Sequence, residues 1–477
     1  MNLSAKIAYN TLIQFISKII ATFLGLFTIA FITRYLGQEG FGEYITATTF
    51  LSFFAIIADL GLTITTVQMI SKPNVDQNKI LGNLLSLRLI SAIFFIGLAP
   101  IVVLFLPYSS DVKSAVTIAS VCFILIALNQ ILVGLFQKNL RMDKVSIAEV
   151  ANRVFLLVTT IFAIKTNMGL NGLMISMVIA SAINFILLYL FSKKYAVIKF
   201  RFDFDYWKKI ILYSWPIALT ITFNLVYLRA DTLFLSIINR SSKIGIIAEV
   251  GIYGAAYKVI DVLITLPFMF IGIILPILTT NWAKKNKKEF NKIIQKTFNF
   301  MVIIAIPIAV GAQYTANDIM SLIAGKNFVS SGPILKILIW ASTAIFISTI
   351  FSHVLIAINK QKKLIKVYFF IAITSVIGYL IAIYYFSYFG AAWVTIYSEV
   401  MMTIILIYMT KKYSGFFPNI LIVIKALIAS LIMASMIYLF RIDNLIISLM
   451  LSFIIYLISL FLLKGFSKQD ILSLLNK

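Results

Sequence analysis

Cysteine, histidine and charge are all scarce in this chain of 477 residues. Its single cysteine, Cys122, excludes a disulfide framework. With His353 the only histidine, thiol and imidazole ligands are too few for a metal cluster. Charged residues make up 12%, against roughly 25% in an average soluble domain, and hydrophobic residues reach 61%. No phosphate-cradling glycine loop, nucleophile elbow or metal-ligand motif occurs. No catalytic residue, resident metal or cofactor is therefore expected, and the chain reads as a non-enzyme. Acids are outnumbered 17 to 41, giving a net charge of +24. In a soluble protein that excess would point to nucleic acid, but loops of membrane proteins collect Lys and Arg on the cytoplasmic side, so no nucleic-acid partner is expected.

What the chain has in quantity is apolar runs of membrane length. Fourteen spans are expected, over 7–32, 43–70, 81–106, 114–136, 146–164, 170–191, 210–238, 250–280, 293–313, 332–358, 364–386, 391–410, 417–440 and 445–463. The first is too long for a signal-peptide core and reads as a retained helix. With both termini cytoplasmic, about 27 basic residues fall on inward segments. Seven fall on outward ones: Arg34, Lys113, Lys165, Arg240, Lys243, Lys326 and Arg441. That asymmetry supports the orientation.

Two stretches divide the chain. The basic, aromatic run 193–209 suits an amphipathic interfacial segment linking two six-helix halves. Gly42-Glu43-Tyr44 opens the second span and Gly251-Ile252-Tyr253 the eighth, 209 residues later. An offset of six helices keeps the orientation, so the repeat is parallel. The expected fold is an all-α integral membrane protein with two pseudo-repeated six-helix lobes around a central cavity, plus two C-terminal helices. Its parts are an N-terminal lobe (1–192), the linker (193–209), a C-terminal lobe (210–412), and accessory helices with a cytoplasmic tail (413–477).

Seven cations lie inside the spans: Lys18, Arg88, Arg153, Arg229, Lys258, Lys336 and Lys425. Each costs about 2.5–3.5 kcal/mol at the centre of a spanning helix on insertion scales, and such residues face a bundle interior or water. Asn10, Gln14, Lys18 and Thr22 recur at steps of four and share one helical face. The second span carries Asp59 among Thr and Ser, and Thr220, Asn224, Tyr227 and Asp231 share a face of the seventh. Lys258 and Asp261 can neutralise one another at i, i+3, as can Glu149 and Arg153 at i, i+4. Glu399 has no cation in its own turn. Lys336 sits near a helix end where it can snorkel, and Lys425 belongs to the accessory pair. Pro216, Pro267, Pro276 and Pro307 can bend their helices.

An ordered set of short segments carries a family resemblance: Arg34-Tyr35-Leu36-Gly37 with Gly40-Phe41-Gly42-Glu43-Tyr44, Ala58-Asp59-Leu60-Gly61-Leu62, Leu87-Arg88-Leu89, Phe136-Gln137 with Arg141-Met142, Arg229-Ala230-Asp231, Val250-Gly251-Ile252-Tyr253 with Ala255-Ala256-Tyr257-Lys258, and Gly325-Lys326. The chain resembles the polysaccharide-exporter branch of the multidrug/oligosaccharidyl-lipid/polysaccharide (MOP) exporter superfamily, the Wzx-type O-antigen flippases. The resemblance implies alternating access in the plasma membrane. The implied cargo is a polyprenyl-pyrophosphate-linked oligosaccharide, for surface polysaccharide assembly. Membrane lipids and polysaccharide assembly proteins are the other implied partners. By the same analogy Lys18, Arg88, Arg229 and Lys258 receive the pyrophosphate between the lobes, and Tyr227, Tyr253 and Tyr257 stack on sugars. Asn10, Gln14, Asp59, Asn224, Asp231, Asp261 and Glu399 then form the polar or ion-coupling lining, serving H⁺ or Na⁺. Two rivals share parts of the pattern. A drug/cation antiporter of the same superfamily should prefer acidic cavity residues. A membrane polysaccharide polymerase or ligase needs a larger outward loop than 314–331.

Overall fold

Apolar runs with no polar partner for the backbone can only satisfy their N–H and C=O groups within themselves, so they become helices. The computed structural model describes residues 3–72, 74–440 and 444–465, the side chains of 3–8, 216, 217 and 220 excepted. Thr220 and Pro216, expected to act through their side chains, thus lie outside the described residues, as do Arg441 and the tail 466–477.

Among the described residues there are thirteen α-helices, two short 3₁₀ segments and no strand. They are α1 (Leu3–Asp59), α2 (Leu62–Ile70), α3 (Gln77–Val102), α4 (Ser110–Lys138), α5 (Met142–Lys165), α6 (Gly169–Ser192), α7 (Phe204–Ile237), α8 (Ile246–Ala283), α9 (Lys287–Ala324), α10 (Gly332–Ala357), α11 (Gln361–Ser414), α12 (Leu421–Phe440) and α13 (Leu445–Leu462). Eleven of the helical segments are long and apolar enough to cross a membrane. The chain is a multi-pass membrane protein.

Two helices are too long to be one span each. α1 and α11 have 57 and 54 residues, about 80–85 Å at 1.5 Å per residue, against a hydrocarbon core of about 30 Å. Each contains one non-helical residue, Gly37 (φ 65°, ψ −169°) in α1 and Ser387 (φ 52°, ψ −135°) in α11. Those breaks fall in the gaps expected between the first two spans and between the eleventh and twelfth. Counting each as two, and adding the 34-residue α7, reproduces the fourteen expected spans. The second span has a further break the hydropathy pattern hides, at Leu60 (φ 49°) and Gly61 (φ 74°), where α1 gives way to α2. Pro267 and Pro276 lie within an unbroken α8, and Pro307 within α9.

The chain forms two compact units: Met1–Gly254 with Tyr379–Ser387, and Ala255–Gly378 with Tyr388–Lys477. The first packs Leu62, Leu81, Leu84, Ile131, Leu135, Phe136 and Leu188 into one apolar cluster that reaches Trp207 and Ile210. In the second, Tyr456 of α13 donates to the Ile303 carbonyl of α9 at 2.8 Å, beside a small cluster of Ala429, Met433 and Leu460.

The repeat glycines explain themselves inside the first unit. A Cβ on Gly42 would stand 1.8 Å from the Ile247 carbonyl oxygen, and one on Gly251 2.0 Å from that of Gln38. Each glycine thus faces the carbonyl four residues before the other. Reciprocal contact of this kind is what a two-fold relation between repeats requires, and small residues are what let membrane helices approach so closely.

The basic run 193–209 departs from expectation. Residues 196–203 carry no helix, because side chains of α3 take up their backbone donors. Asn78 Oδ1 accepts from Val197, Ser86 Oγ from Arg201, and Asn83 Oδ1 from Asp203 and from the Trp207 indole, at 2.9–3.1 Å. Gly82 makes room, since its Cβ would meet the Lys199 carbonyl oxygen at 2.3 Å. Trp207 is buried while Phe200, Phe202 and Phe204 stay exposed. Asp203 caps α7 through the Tyr206 amide at 3.0 Å, and that bond, with nearby Lys79, holds its carboxyl below the usual carboxylate range. Residues 196–203 of the run are a strap on α3, and α7 takes up the rest from Phe204.

Candidate functional site

Lys18, Arg88 and Arg229, with Asn10, Gln14, Asp59, Asn224 and Asp231, belong to the first unit, and Lys258, Asp261 and Glu399 to the second. Their geometry separates side chains held by the fold from side chains left to act.

Arg88 is held most firmly. It is 1% exposed, and its guanidinium meets Asp59 Oδ1 at 2.8 Å, the Ala58 carbonyl at 2.9 Å, the Ala127 carbonyl at 3.2 Å and Gln130 Oε1 at 2.5 Å. The reason lies in the break at Leu60–Gly61. A helix end leaves carbonyls without intrahelical partners and a negative dipole end, which a cation relieves. Arg88 and the Ser91 hydroxyl, 2.9 Å from the Ala58 oxygen, supply the missing donors. Thr63 adds a 2.5 Å bond to Asp59. In this conformation Arg88 offers a pyrophosphate nothing.

Asn10 is likewise structural here. Its Nδ2 donates to the Leu140 carbonyl and its Oδ1 accepts from the Met142 amide, both at 2.8 Å, tying α1 to the turn before α5. Asp231 is fully buried and accepts from Tyr253 at 2.6 Å and from the Thr232 amide at 2.6 Å. Tyr253, expected on a sugar face, is itself fully buried and spent on that bond. Tyr227 and Tyr257 are also buried.

Lys18 tells a different story. It is half-exposed and pairs with Glu149 of α5 at 3.3 Å, while Gln14 bonds the Asn10 carbonyl one turn back. The i, i+4 pairing of Glu149 with Arg153 does not form, because Lys18 from another helix takes the carboxylate. Lys258 and Asp261 do pair along α8, at 3.7 Å, both partly exposed. Asn224 and Arg229 are half-buried on α7. Glu399 is 1% exposed, and its Oε1 has no hydrogen-bond partner among the described residues. Lys425 Nζ caps the Lys464 carbonyl at 2.9 Å, fixing one accessory helix to the other.

The Lys18–Glu149 pair is partly exposed, and in detergent an exposed ion pair adds under about 1 kcal/mol to stability. Lys18→Gln should therefore unfold in detergent within a few degrees of the parent, so that any loss of transport in it reports on function.

Sequence reasoning missed a buried lock. Arg240, expected as an outward loop charge, pairs with Glu249 at 2.5 Å with both side chains under a tenth exposed. Ser387, the break in α11, donates to the same carboxylate at 2.5 Å. Arg153, expected to pair with Glu149, instead has no ion pair among the described residues and lines a cavity with Asn129, Gln130, Glu149, Asn152 and Asn184.

The helical fold is shared with solved membrane flippases and transporters. The solved lipid II flippase MurJ, in an inward-closed conformation, superposes with a TM-score of 0.78 at 18% identity, over 98% of this chain and 100% of that one. An inward-facing multidrug resistance MATE family transporter of the same superfamily gives 0.67 at 13% identity, over 85% and 98%. By sequence the chain belongs to the polysaccharide biosynthesis protein family, whose model matches residues 7–282. An uncharacterised membrane protein of Methanocaldococcus jannaschii is 23% identical over 168 residues, 35% of this chain, and the chain spans about a third of that relative's length.

Proposed function

We propose that this protein is a flippase that carries a polyprenyl-pyrophosphate-linked oligosaccharide across the plasma membrane by alternating access, with both termini cytoplasmic, during surface polysaccharide assembly. One observation carries the choice of an anionic cargo. Of the acids within the spans, Asp59, Glu149 and Asp261 each sit on an Arg or Lys at 2.8–3.7 Å. A drug/cation antiporter would need such acids for its substrate. The family match to polysaccharide biosynthesis and the fold shared with a lipid II flippase support the same reading.

Lys18 and Arg229 of the first unit and Lys258 of the second are the cations assigned to the pyrophosphate, and Arg88 holds the helix break at Leu60–Gly61. A pyrophosphate diester carries about two negative charges, and one charge crossing 100 mV is worth about 2.3 kcal/mol. A negative interior then favours export by about 4–5 kcal/mol per 100 mV. Glu399, buried and with no cation paired to it among the described residues, is the acid assigned to H⁺ or Na⁺ coupling.

The test uses proteoliposomes loaded with a fluorescent polyprenyl-pyrophosphate glycan. Arg229→Glu and Lys258→Glu should each cut flipping more than about tenfold, a loss of at least 1.4 kcal/mol in transition-state stabilisation, while inserting and purifying like the parent. Unchanged flipping in both variants would remove the anion path, and rates blind to Δψ, ΔpH and ΔNa⁺ would remove coupling.

A further inference from the structure

The cavity around Arg153 has no place in the reading above. α4, α5 and α6 line it within the first unit, and its volume is about 340 Å³, at the lower end of the range of about 300–1,000 Å³ typical of small-molecule sites. In an apolar chain a gap between helices is ordinarily walled by Leu, Ile and Val. This one has such a wall in Ile126, Val133, Val145, Leu156 and Leu188, but sets Asn129, Gln130, Glu149, Asn152, Arg153 and Asn184 into it.

Arg153 lies eleven residues into α5, about 16 Å along its axis. At that depth a guanidinium is costly and is normally matched. The acid one turn before it is held by Lys18 at 3.3 Å, so the cavity keeps one uncompensated positive charge. The side-chain oxygens of Asn129, which is only 6% exposed, and of Asn184 are buried with no hydrogen-bond partner among the described residues. Gln130 has its Oε1 taken by Arg88 at 2.5 Å and Thr63 at 3.2 Å, which leaves its Nε2 as the free donor. Packing alone would have paired Arg153 with Glu149 and satisfied the asparagines.

We propose that this cavity binds a hydroxylated anion: a carboxylate or phosphate whose two oxygens lie side by side on Arg153, with adjacent hydroxyls donating to Asn129 and Asn184. A guanidinium fork matches such paired oxygens, and amide oxygens accept from hydroxyls. A sugar acid and a glycerol phosphate headgroup share that chemistry. The site is contained in one unit and is read by binding, so it stands or fails apart from transport.

The experiment takes the full-length protein in phosphatidylcholine nanodiscs and titrates it calorimetrically with glucuronate, glycerol 1-phosphate and, as the neutral control, glucose. The anions should bind at least about tenfold more tightly than glucose. Arg153→Gln should lose about tenfold or more, and Arg153→Lys should keep part of the affinity because it keeps the charge but not the fork. Cys122, the only cysteine, lines the same cavity. Its alkylation by a small maleimide in the unmutated protein should slow with glucuronate and not with glucose, a readout needing no variant. Repeating the titrations in phosphatidylglycerol nanodiscs separates the sources: lost glucuronate binding assigns the site to the headgroup, and retained binding to a sugar acid. Anion binding that ignores Arg153→Gln overturns the proposal. So does the lack of both anion binding and Cys122 protection in phosphatidylcholine.

Discussion

Arg88→Leu will lower the free energy of unfolding in detergent by about 3–5 kcal/mol, the usual effect of removing one partner of a buried ion pair. Asp59 would be left with Thr63 as its remaining polar contact, since its Oδ2 already lacks a partner. The Ala127 carbonyl would lose its guanidinium donor, and Ala58 would keep only Ser91. Arg88→Lys should recover only part of the loss, because an ammonium cannot reach Asp59, two carbonyls and Gln130 together. The Arg88→Leu, Asp59→Leu pair should be closer to the parent than Arg88→Leu alone, as replacing both charges removes the unpaired one. Chemical denaturation of the four proteins checks this. Arg88→Leu within 1 kcal/mol of the parent would return Arg88 to the list of side chains free to meet cargo.

That result would also show where reading the sequence stops. Hydropathy and loop charge made the spans legible, because backbone satisfaction in a membrane leaves helices as the only choice. The two glycines of the expected repeat were legible, and they meet at one crossing of α1 and α8. Pairs along one helix were half legible: Lys258 and Asp261 meet at i, i+3, but Glu149 and Arg153 at i, i+4 do not. Helical periodicity fixes which face a residue shares and says nothing about which neighbour covers that face. Lys18 reaches Glu149 across 131 residues, and Arg88 reaches Asp59 from α3. Arg153 was set aside on the strength of a local partner that a distant lysine had taken. Its signal was the amide-rich company of Asn129-Gln130, Asn152 and Asn184, recognisable only once α4, α5 and α6 lie together. Composition marked 193–209 as an amphipathic segment but left the path of its backbone over 196–203 open. Its backbone donors there found Asn78, Asn83 and Ser86, an outcome no hydrophobic period encodes.

Gly42→Ala and Gly251→Ala are expected to destabilise the first unit far more than their size suggests. Alanine favours a helix over glycine by about 0.8–1.0 kcal/mol, so in open surroundings each change would help. At this crossing each new Cβ would fall within 2.0 Å of a backbone oxygen on the facing helix. A carbonyl cannot rotate aside as a side chain can, so the helices must separate and lose close packing along their whole contact, including Gly254 against Ile45. Overpacking costs typically 1–3 kcal/mol and occasionally more, and here the upper part of that range should hold after the propensity gain. Because both glycines serve one crossing, the double variant should cost clearly less than the two singles added together. Gly97→Ala and Gly272→Ala, where a Cβ would meet nothing within 4 Å, are the controls and should leave stability unchanged or raised. Thermal unfolding of the five variants in one detergent decides the matter. Equal melting of Gly42→Ala and Gly97→Ala would mean that the repeats do not depend on this contact. The expected gap between them would show that the glycine of each repeat is kept for the carbonyl of the other.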